Sequence, residues 1–409
     1  MSSFTRKIWV AFWVLVLLCS GCVSDVEETS HVTPTAASPT YDSLVRTMTN
    51  TPSTTPSLTS TYTAVSPNLP GCRINSLIDL SAMSLAFVAN WDGDDEIYIV
   101  QADGSGFRKL TDNDIVEYGA KWSPDGQWIA FVNDDIDNPR LYIMRPDGTD
   151  RTKLAPDIEI TSIRPIWSPT SDKVAFRSSG SLYVVDIIDG TATGLTNGSS
   201  FISGRPSFSP DGEWLVFEVS LLTEATPQHR LYSVRVDGTD LIEIGFDLGD
   251  TSSPQWHPFE DKILFHARIP YEGNSIYTIN SRGEQVEKLE SEISGNWPLW
   301  SPDGQMIAYI ETNWSFDENN ARLVHDSIHV MRADGSDDTI VLEGSEDESL
   351  GIYRIIWAPD SRHIAYLFVN YQVEGTPIDL YVVDICTGAV NLVVEDIDEF
   401  SETSWRPIQ

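Results

Sequence analysis

Seven copies of one pattern of tight turns and short apolar runs predict an all-β fold. A complete copy begins with an aromatic residue and a turn, as in Trp122-Ser123-Pro124-Asp125-Gly126. It continues with an apolar strand, a Leu-Tyr strand and a second turn such as Asp147-Gly148-Thr149. The aromatic residues that begin successive copies lie 45, 41, 48, 44 and 57 residues apart. Four short strands in a period of this length are typical of a β-propeller blade. The sequence therefore predicts a seven-bladed β-propeller with four antiparallel strands in each blade.

The Ser-Pro-Asp-Gly segment has the composition of a type I turn. Proline fixes φ at the second position, aspartate tolerates the third, and glycine closes the fourth. Each such turn therefore joins two strands as a hairpin. The aromatic strands that precede it end at Trp122, Trp167, Phe208, Trp256, Trp300 and Trp357. In the degenerate fifth copy His257 replaces the serine, and we interpret it as a turn variant.

The two ends of the repeat region complement each other. The first copy starts at Leu85-Ala86-Phe87 and lacks its aromatic strand, whereas Trp405-Arg406-Pro407 follows Trp357 by 48 residues. We therefore expect the C-terminal strand to complete blade one and close the ring.

The N-terminus has the composition of a secretory signal. Arg6 and Lys7 precede an apolar run from Ile8 to Leu18, which is too short to span a bilayer comfortably. The ending Cys19-Ser20-Gly21-Cys22 resembles that of a bacterial lipoprotein signal, which implies a lipid on Cys22. An ordinary cleaved signal or an uncleaved anchor remains the alternative.

The chain then divides into three parts. Residues 1–21 are the predicted signal peptide, residues 22–72 a linker rich in Ser, Thr and Pro, and residues 73–409 the propeller. The linker has too few apolar residues to build a core, so we expect it to be a disordered tether.

Net charge limits the partners. With 61 acidic and 26 basic residues the net charge is −35, and phosphate groups would be repelled, so nucleic acid is not an expected partner. The four cysteines and seven histidines show no metal-ligand spacing, and no Gly-x-Ser-x-Gly motif occurs. No cofactor, metal or catalytic residue is predicted.

These repeats resemble the WD-like propeller repeats of the TolB family and of the propeller domains attached to some serine peptidases. The resemblance extends over about Leu85 to Gln409 and is especially close in Asp92-Gly93-Asp94-Asp95-Glu96-Ile97-Tyr98. It implies the fold, but propellers host many activities, so it does not imply a particular ligand. TolB is usually described with six blades and a separate N-terminal domain, so its partners are not transferred.

Binding residues usually lie on variable loops. Both tight turns of a blade fall on one face, so we expect a site on the opposite, loop-rich face. Its predicted loops include Asp134-Asp135-Ile136-Asp137, Thr312 to Asp326, Glu346-Asp347-Glu348 and the segment from Glu395 to Glu399.

One position of the aromatic strand stands out. Three residues before its aromatic end lie Arg164, Arg205 and Arg354, with Trp297 in a fourth blade. Prolines beside this position favour an edge strand next to the channel. The arginines could then hold an anionic group such as a carboxylate at the channel mouth. Alternatively, they pair with acidic loops or between blades.

Two further features have competing interpretations. The acidic run Asp92-Gly93-Asp94-Asp95 could suggest calcium, but the full series of a calcium loop is absent, and turn chemistry explains it better. Cys72 and Cys386 are predicted to form a disulfide that latches the ring closure in an oxidising compartment, or else to be two independent thiols.

The preferred interpretation is a non-catalytic, monomeric recognition scaffold, anchored outside the cytoplasm of a bacterium by a lipid on Cys22 and binding a protein, peptide or glycan. The alternatives are an extracellular hydrolase or lyase with its site at the channel mouth, and a structural component of the cell envelope.

Overall fold

The computed structural model of the chain describes residues 62–64, 79–91, 93–134, 139–161, 164–198, 201–222, 227–245, 248–269, 273–289, 295–316, 322–344, 350–370, 378–397 and 403–408. The predicted signal peptide, Cys22 and Cys72 lie outside the described residues.

The described residues form an all-β structure. In chain order the first fifteen strands are β1 (Tyr62–Ala64), β2 (Ser84–Ala89), β3 (Glu96–Gln101), β4 (Arg108–Lys109), β5 (Val116–Trp122), β6 (Ile129–Asp134), β7 (Pro139–Met144), β8 (Thr152–Leu154), β9 (Ile166–Trp167), β10 (Lys173–Ser178), β11 (Ser181–Asp186), β12 (Ala192–Gly194), β13 (Phe201–Phe208), β14 (Trp214–Leu222) and β15 (Pro227–Arg235). The others are β16 (Ile242–Ile244), β17 (Asp250–Trp256), β18 (Ile263–Ile269), β19 (Gly273–Ile279), β20 (Glu287–Lys288), β21 (Gly295–Trp300), β22 (Met306–Phe316), β23 (Arg322–Arg332), β24 (Thr339–Gly344), β25 (Leu350–Trp357), β26 (His363–Asn370), β27 (Ile378–Asp384), β28 (Val390–Ile397) and β29 (Ser404–Trp405). A 3-10 turn, Leu80–Ala82, precedes β2 and is capped by the Asp79 side chain.

The strands assemble into seven antiparallel sheets, which confirms the predicted seven-bladed propeller. Blades two to five are β5–β8, β9–β12, β13–β16 and β17–β20, each with its strands in sequence order across the sheet. Blades six and seven are β21–β24 and β25–β28, and blade one is β29-β2-β3-β4.

The ring closes as predicted. Leu85 pairs with Trp405 and Ala86 with Ser404, so the last strand becomes the first strand of blade one. The hydroxyl of Ser404 also accepts a hydrogen bond of 3.1 Å from the Trp122 amide in blade two. The last strand is therefore joined to both blade one and blade two.

The turns owe their shape to side-chain hydrogen bonds. In the blade-two turn the Ser123 hydroxyl donates to Asp125 and accepts from the Trp128 amide at 3.0 Å. In the second turn the Asp147 carboxylate accepts from the Thr149 amide at 3.0 Å. Gly148 has φ of 86°, and a Cβ there would approach the Leu110 carbonyl to 2.8 Å. Only glycine fits this contact between blades.

The aromatic residue at the end of each first strand is buried between blades. The seven residues are only 3% to 8% exposed. Three tryptophans donate their indole N–H to a carbonyl of the preceding blade: Trp167 to Lys121, Trp357 to Leu299 and Trp405 to Ile356. The indole N–H groups of Trp122, Trp256 and Trp300 have no hydrogen-bond partner among the described residues. What the tryptophans at this position share is therefore the large apolar area that each buries between blades.

Two segments that were predicted to lack regular secondary structure contain strand residues. Within the predicted linker, β1 pairs antiparallel with Leu342–Gly344 and adds a fifth strand to blade six. The predicted loop from Thr312 to Asp326 is shorter than expected, because β22 continues to Phe316 and β23 begins at Arg322. Most other loops of that face lie outside the described residues. Among the helical segments described, none has the length and apolar character needed to cross a bilayer.

Candidate functional site: an arginine-lined channel cavity

A cavity of about 730 Å³ lies where the first strands of blades three to seven meet. Its volume falls within the range of about 300–1,000 Å³ that is typical of small-ligand sites. Because five blades contribute their first strands to it, it occupies the central channel, and these strands are the innermost ones.

All four residues that the sequence singled out line this cavity. Arg164 comes from blade three, Arg205 from blade four and Arg354 from blade seven, while Trp297 comes from blade six. The structure therefore brings together side chains that lie up to 190 residues apart in the sequence. Whether they bind a ligand remains a prediction.

Irregular first strands present these residues to the channel. The register of β13 against β14 shifts between Ser203 and Ser207, and that of β21 against β22 shifts between Asn296 and Leu299. Such bulges leave ladder groups unpaired and re-aim side chains. Trp297 lies in the second bulge, with φ of 52° and 51% of its surface exposed. A bulky residue in the left-handed region is unusual and is a hint of function.

Gly204 lets a buried carboxylate approach the bulge of blade four. Its φ is 64°, and a Cβ there would come within 2.7 Å of Glu218 Oε2. Glu218 is itself buried and accepts a hydrogen bond of 3.1 Å from the Ser253 amide of blade five. The carboxylate thus fixes the first strands of two neighbouring blades.

Two arginines place positive charge beside the cavity near blade three. Burial, and secondly the charge of Arg164, lower the pKa of Arg177 from its ordinary value, whereas Glu218 opposes the shift. Arg177 also donates to the Ile202 carbonyl at 2.8 Å, which holds its guanidinium between blades three and four. Two guanidinium groups and one carboxylate therefore lie close together beside the cavity. Such an arrangement favours an anion there.

The repeated turn contributes to the site as well as to the scaffold. Pro124, Pro169, Pro210 and Pro258, the prolines of four such turns, line the same cavity. The candidate cavity thus includes residues of the tight-turn face, whereas the sequence favours a site on the loop-rich face, and this preference stays a prediction. Proline rings and the half-exposed Tyr353 give the cavity an apolar wall beside its cationic one.

His257 has a structural role in its turn. Its Nδ1 accepts hydrogen bonds from the amides of Phe259 and Glu260 at 3.1 and 3.0 Å, and its Nε2 donates to the Gly304 carbonyl at 3.2 Å. Both ring nitrogens are therefore engaged by backbone groups. It replaces the turn serine, as the sequence suggested.

The described residues include no group of three or more His, Cys, Asp or Glu side chains that could hold a metal ion. Cys386 is disulfide-bonded. Its predicted partner Cys72, like the predicted lipid site Cys22, lies outside the described residues.

Sequence reasoning missed Arg177, Glu218 and Tyr353. Arg177 and Glu218 interrupt apolar second strands of their blades, at Val-Ala-Phe-Arg and Val-Phe-Glu-Val. A charged residue beside the aromatic residue of such a strand is the signal that could have identified them.

The chain is similar to known propeller proteins. The family model described as the TolB beta propeller domain matches residues 149–319. An uncharacterized protein of Agrobacterium fabrum is 29% identical over 226 residues, which are 50% of this chain and 72% of that protein. A TolB homolog of Chlorobium chlorochromatii is 30% identical over 136 residues, 32% of this chain and 30% of that protein.

Among solved structures, an oligogalacturonate lyase from Vibrio parahaemolyticus superimposes with a TM-score of 0.57 at 16% identity. The match covers 76% of this chain and 85% of the lyase, and at this identity it shows the fold alone. The repeats and the seven four-stranded blades show a β-propeller, and residues 149–319 match the TolB beta propeller domain, so the repeats of this chain are TolB-like.

Proposed function

We propose that the chain is a non-catalytic recognition propeller outside the cytoplasm, which binds a protein, peptide or glycan by a carboxylate-bearing part in the channel cavity. The observation that supports this most is the convergence of Arg164, Arg205 and Arg354 from three blades on one cavity of about 730 Å³. Planar guanidinium groups are the side chains best suited to a carboxylate, because each can donate two parallel hydrogen bonds.

The apolar wall of the cavity supports the same assignment. The exposed Trp297 and Tyr353, with the turn prolines, offer flat surfaces to a ring or an extended backbone. The anionic group would then set the position of the ligand, and the aromatic surfaces would contribute contact area.

The disulfide at Cys386 supports an oxidising compartment outside the cytoplasm. The lipid anchor at Cys22 and the monomeric state belong to this proposal and rest on the sequence.

The test compares paired ligands that differ only in their anionic group. Peptides with a free C-terminal carboxylate are titrated beside their amidated forms, and uronic acid oligosaccharides beside their methyl esters. The Arg164→Ala/Arg205→Ala double variant should weaken binding of the acidic form about tenfold or more. Arg282→Ala is the matched control, because Arg282 is an exposed arginine of the blade-five turn. If the amidated or esterified forms bind equally well, or if the double variant binds like wild type, the channel is not the carboxylate site.

An extracellular lyase or hydrolase is the second candidate. The similarity in fold to an oligogalacturonate lyase, together with a cationic cavity of ligand size, favours it over other enzyme classes. Incubation of the protein with oligogalacturonate, followed by mass spectrometry of the sugar, distinguishes the two candidates. If the wild-type protein shortens the oligogalacturonate and the double variant does not, the enzymatic proposal replaces the binding proposal.

A further inference from the structure

A second cavity, separate from the channel, lies on the outer part of blade two. We call it the blade-two pocket. It measures about 260 Å³, and its lining includes Arg140, Tyr142, Arg151 and Lys153. In a chain with 61 acidic and only 26 basic residues, three cationic side chains around one small pocket are unexpected.

The hydrogen bonds of these cations leave their charge unbalanced. Arg140 donates to the Pro139 carbonyl at 3.1 Å, and Arg151 donates to the Leu110 carbonyl at 3.2 Å. Within the described ranges, none of the three cations forms an ion pair, and the buried Nε of Arg140 has no hydrogen-bond partner. A carbonyl oxygen satisfies a donor but does not neutralise a charge.

In blade four, a carboxylate of the protein lies at the position that corresponds to the blade-two pocket. Both blades contain the sequence Arg-Leu-Tyr in their third strand, at Arg140–Tyr142 and Arg230–Tyr232. In both, the tyrosine stacks on a phenylalanine of the second strand, with ring centroids 5.7 and 6.0 Å apart. The two blades therefore present the same arginine and the same aromatic platform.

The two blades differ in the residue that pairs with the tyrosine from the fourth strand. Glu243 is the partner of Tyr232, whereas Lys153 is the partner of Tyr142. The Glu243 carboxylate accepts a hydrogen bond of 3.0 Å from the Tyr232 hydroxyl and lies 3.9 Å from Arg230 Nε. Blade four therefore carries its own carboxylate between arginine and tyrosine, and blade two has a further cation there instead.

We propose that the blade-two pocket binds the carboxylate of a small external ligand, in the role that the Glu243 side chain has in blade four. Arg140 and the Tyr142 hydroxyl donate to it, and Lys153 and Arg151 supply the remaining positive charge. A volume of about 260 Å³ is slightly below the range of drug-sized sites, so the ligand is a small organic acid or one acidic sugar unit.

The buried carboxyl group that contacts the pocket residue Asn133 adds little negative charge to the pocket. Asn133 lines the pocket and donates to Glu117 at 3.2 Å. Glu117 is fully buried, and burial raises its pKa to about 8, so it is mostly protonated at neutral pH. This leaves the pocket cationic.

The test uses calorimetric titration of the full-length protein at constant ionic strength. The probes are D-glucuronate and succinate, each beside a neutral counterpart, D-glucose and succinamide. We expect saturable binding of at least one acid and none of its counterpart. Lys153→Gln should weaken that binding about tenfold. Lys153→Glu should abolish it and raise the melting temperature, because it supplies an internal carboxylate as in blade four.

Lys288→Glu is the matched control, since Lys288 is exposed and pairs with Tyr277 in blade five as Lys153 pairs with Tyr142. It should leave binding unchanged. The binding that Lys153→Gln weakens should persist in the channel variant Arg164→Ala/Arg205→Ala, which separates this site from the channel. The proposal is overturned if neither acid binds, if the neutral counterparts bind equally, if sulfate competes better than the carboxylates, or if Lys288→Glu has the same effect as Lys153→Glu.

Discussion

Replacing the buried Glu117 by glutamine should remove a large part of the pH dependence of stability. Glu117 lies in β5 of blade two and is fully buried beside Glu96 of blade one, which is also fully buried. Burial is the largest of the effects that together raise its pKa from 4.5 to about 8; Glu96 adds to the shift, and a hydrogen bond from Asn113 opposes it. At neutral pH the folded protein therefore holds a proton that the unfolded chain releases.

The sign and size of the effect follow from proton linkage. Between pH 4.5 and about 8 the folded state binds more protons than the unfolded state, so the free energy of unfolding falls as the pH rises. The slope is at most about 1.4 kcal/mol per pH unit for one proton. A shift of this size corresponds to at most about 5 kcal/mol over the whole interval. Below pH 4.5 and above pH 8 this residue contributes no further change.

Glu117→Gln keeps the shape of the side chain and cannot ionise. Its amide can also donate to Glu96, whose Oε2 has no hydrogen-bond partner in the described part of the chain. We therefore expect the variant to be the more stable protein at pH 9 by several kcal/mol and to have a flatter profile between pH 5 and 8. Urea unfolding at each pH measures both, with Glu159→Gln as an exposed control. Parallel profiles of variant and wild type between pH 5 and 8 would refute the assignment of the proton to Glu117.

Three other substitutions test the packing and the ion pairs. Gly204→Ala should lower the free energy of unfolding by about 1–3 kcal/mol, because φ is 64° and the added Cβ would lie 2.7 Å from Glu218 Oε2. Gly190→Ala is the control in the same unfolding experiment: Gly190 also has positive φ, but nothing lies within 4 Å of the added Cβ, so the comparison separates the clash from the backbone strain. Arg362→Ala should cost about 3 kcal/mol, since it breaks a two-point contact of 3.0 and 2.8 Å with the buried Asp384. The pKa of Asp384 is lowered to about 2, so its stabilising contribution is lost as the pH falls below about 4, and the acid limb of the stability profile should be flatter in the variant. Trp405→Ala should cost about 3–5 kcal/mol and increase amide exchange in β2 and β5 more than in β13, because Trp405 closes the ring between blades seven and one.

The fold was predictable because the sequence pattern of one blade occurs seven times. Even the closure by Trp405 followed from a strand missing at one end and a surplus strand at the other. The arginines of the channel were predictable for the same reason. A fixed distance from the buried aromatic residue defines the same height on every first strand, whatever the loops contain.

The backbone irregularities were not predictable from the sequence. Trp297 occupies the left-handed region because the register of β21 against β22 shifts there, and the register depends on both strands together. Similarly, Glu218 lies in a run of apolar residues, and only the structure shows that the Ser253 amide and the glycine at 204 accommodate it. Tertiary partners, rather than local composition, allow a charge at such a position.

The repeat also makes it possible to recognise function by internal comparison. A position that serves only the fold should hold similar residues in every blade, because each blade solves the same packing problem. The position three residues before the aromatic end does not: it holds arginine in three blades but Gly119, Ser253 and Trp297 in three others, all three with positive φ. The arginine is thus not required by the strand geometry. At the position 11 residues after the tyrosine of the third strand, blades one, two and five hold lysine and blade four holds Glu243. Blade two differs from blades one and five because Arg140 stands beside its lysine, Lys153. At both positions the blades fold with a cationic or a non-cationic residue, so the fold does not require the cation. We infer that the cations in the channel and in the blade-two pocket serve to bind anionic ligands.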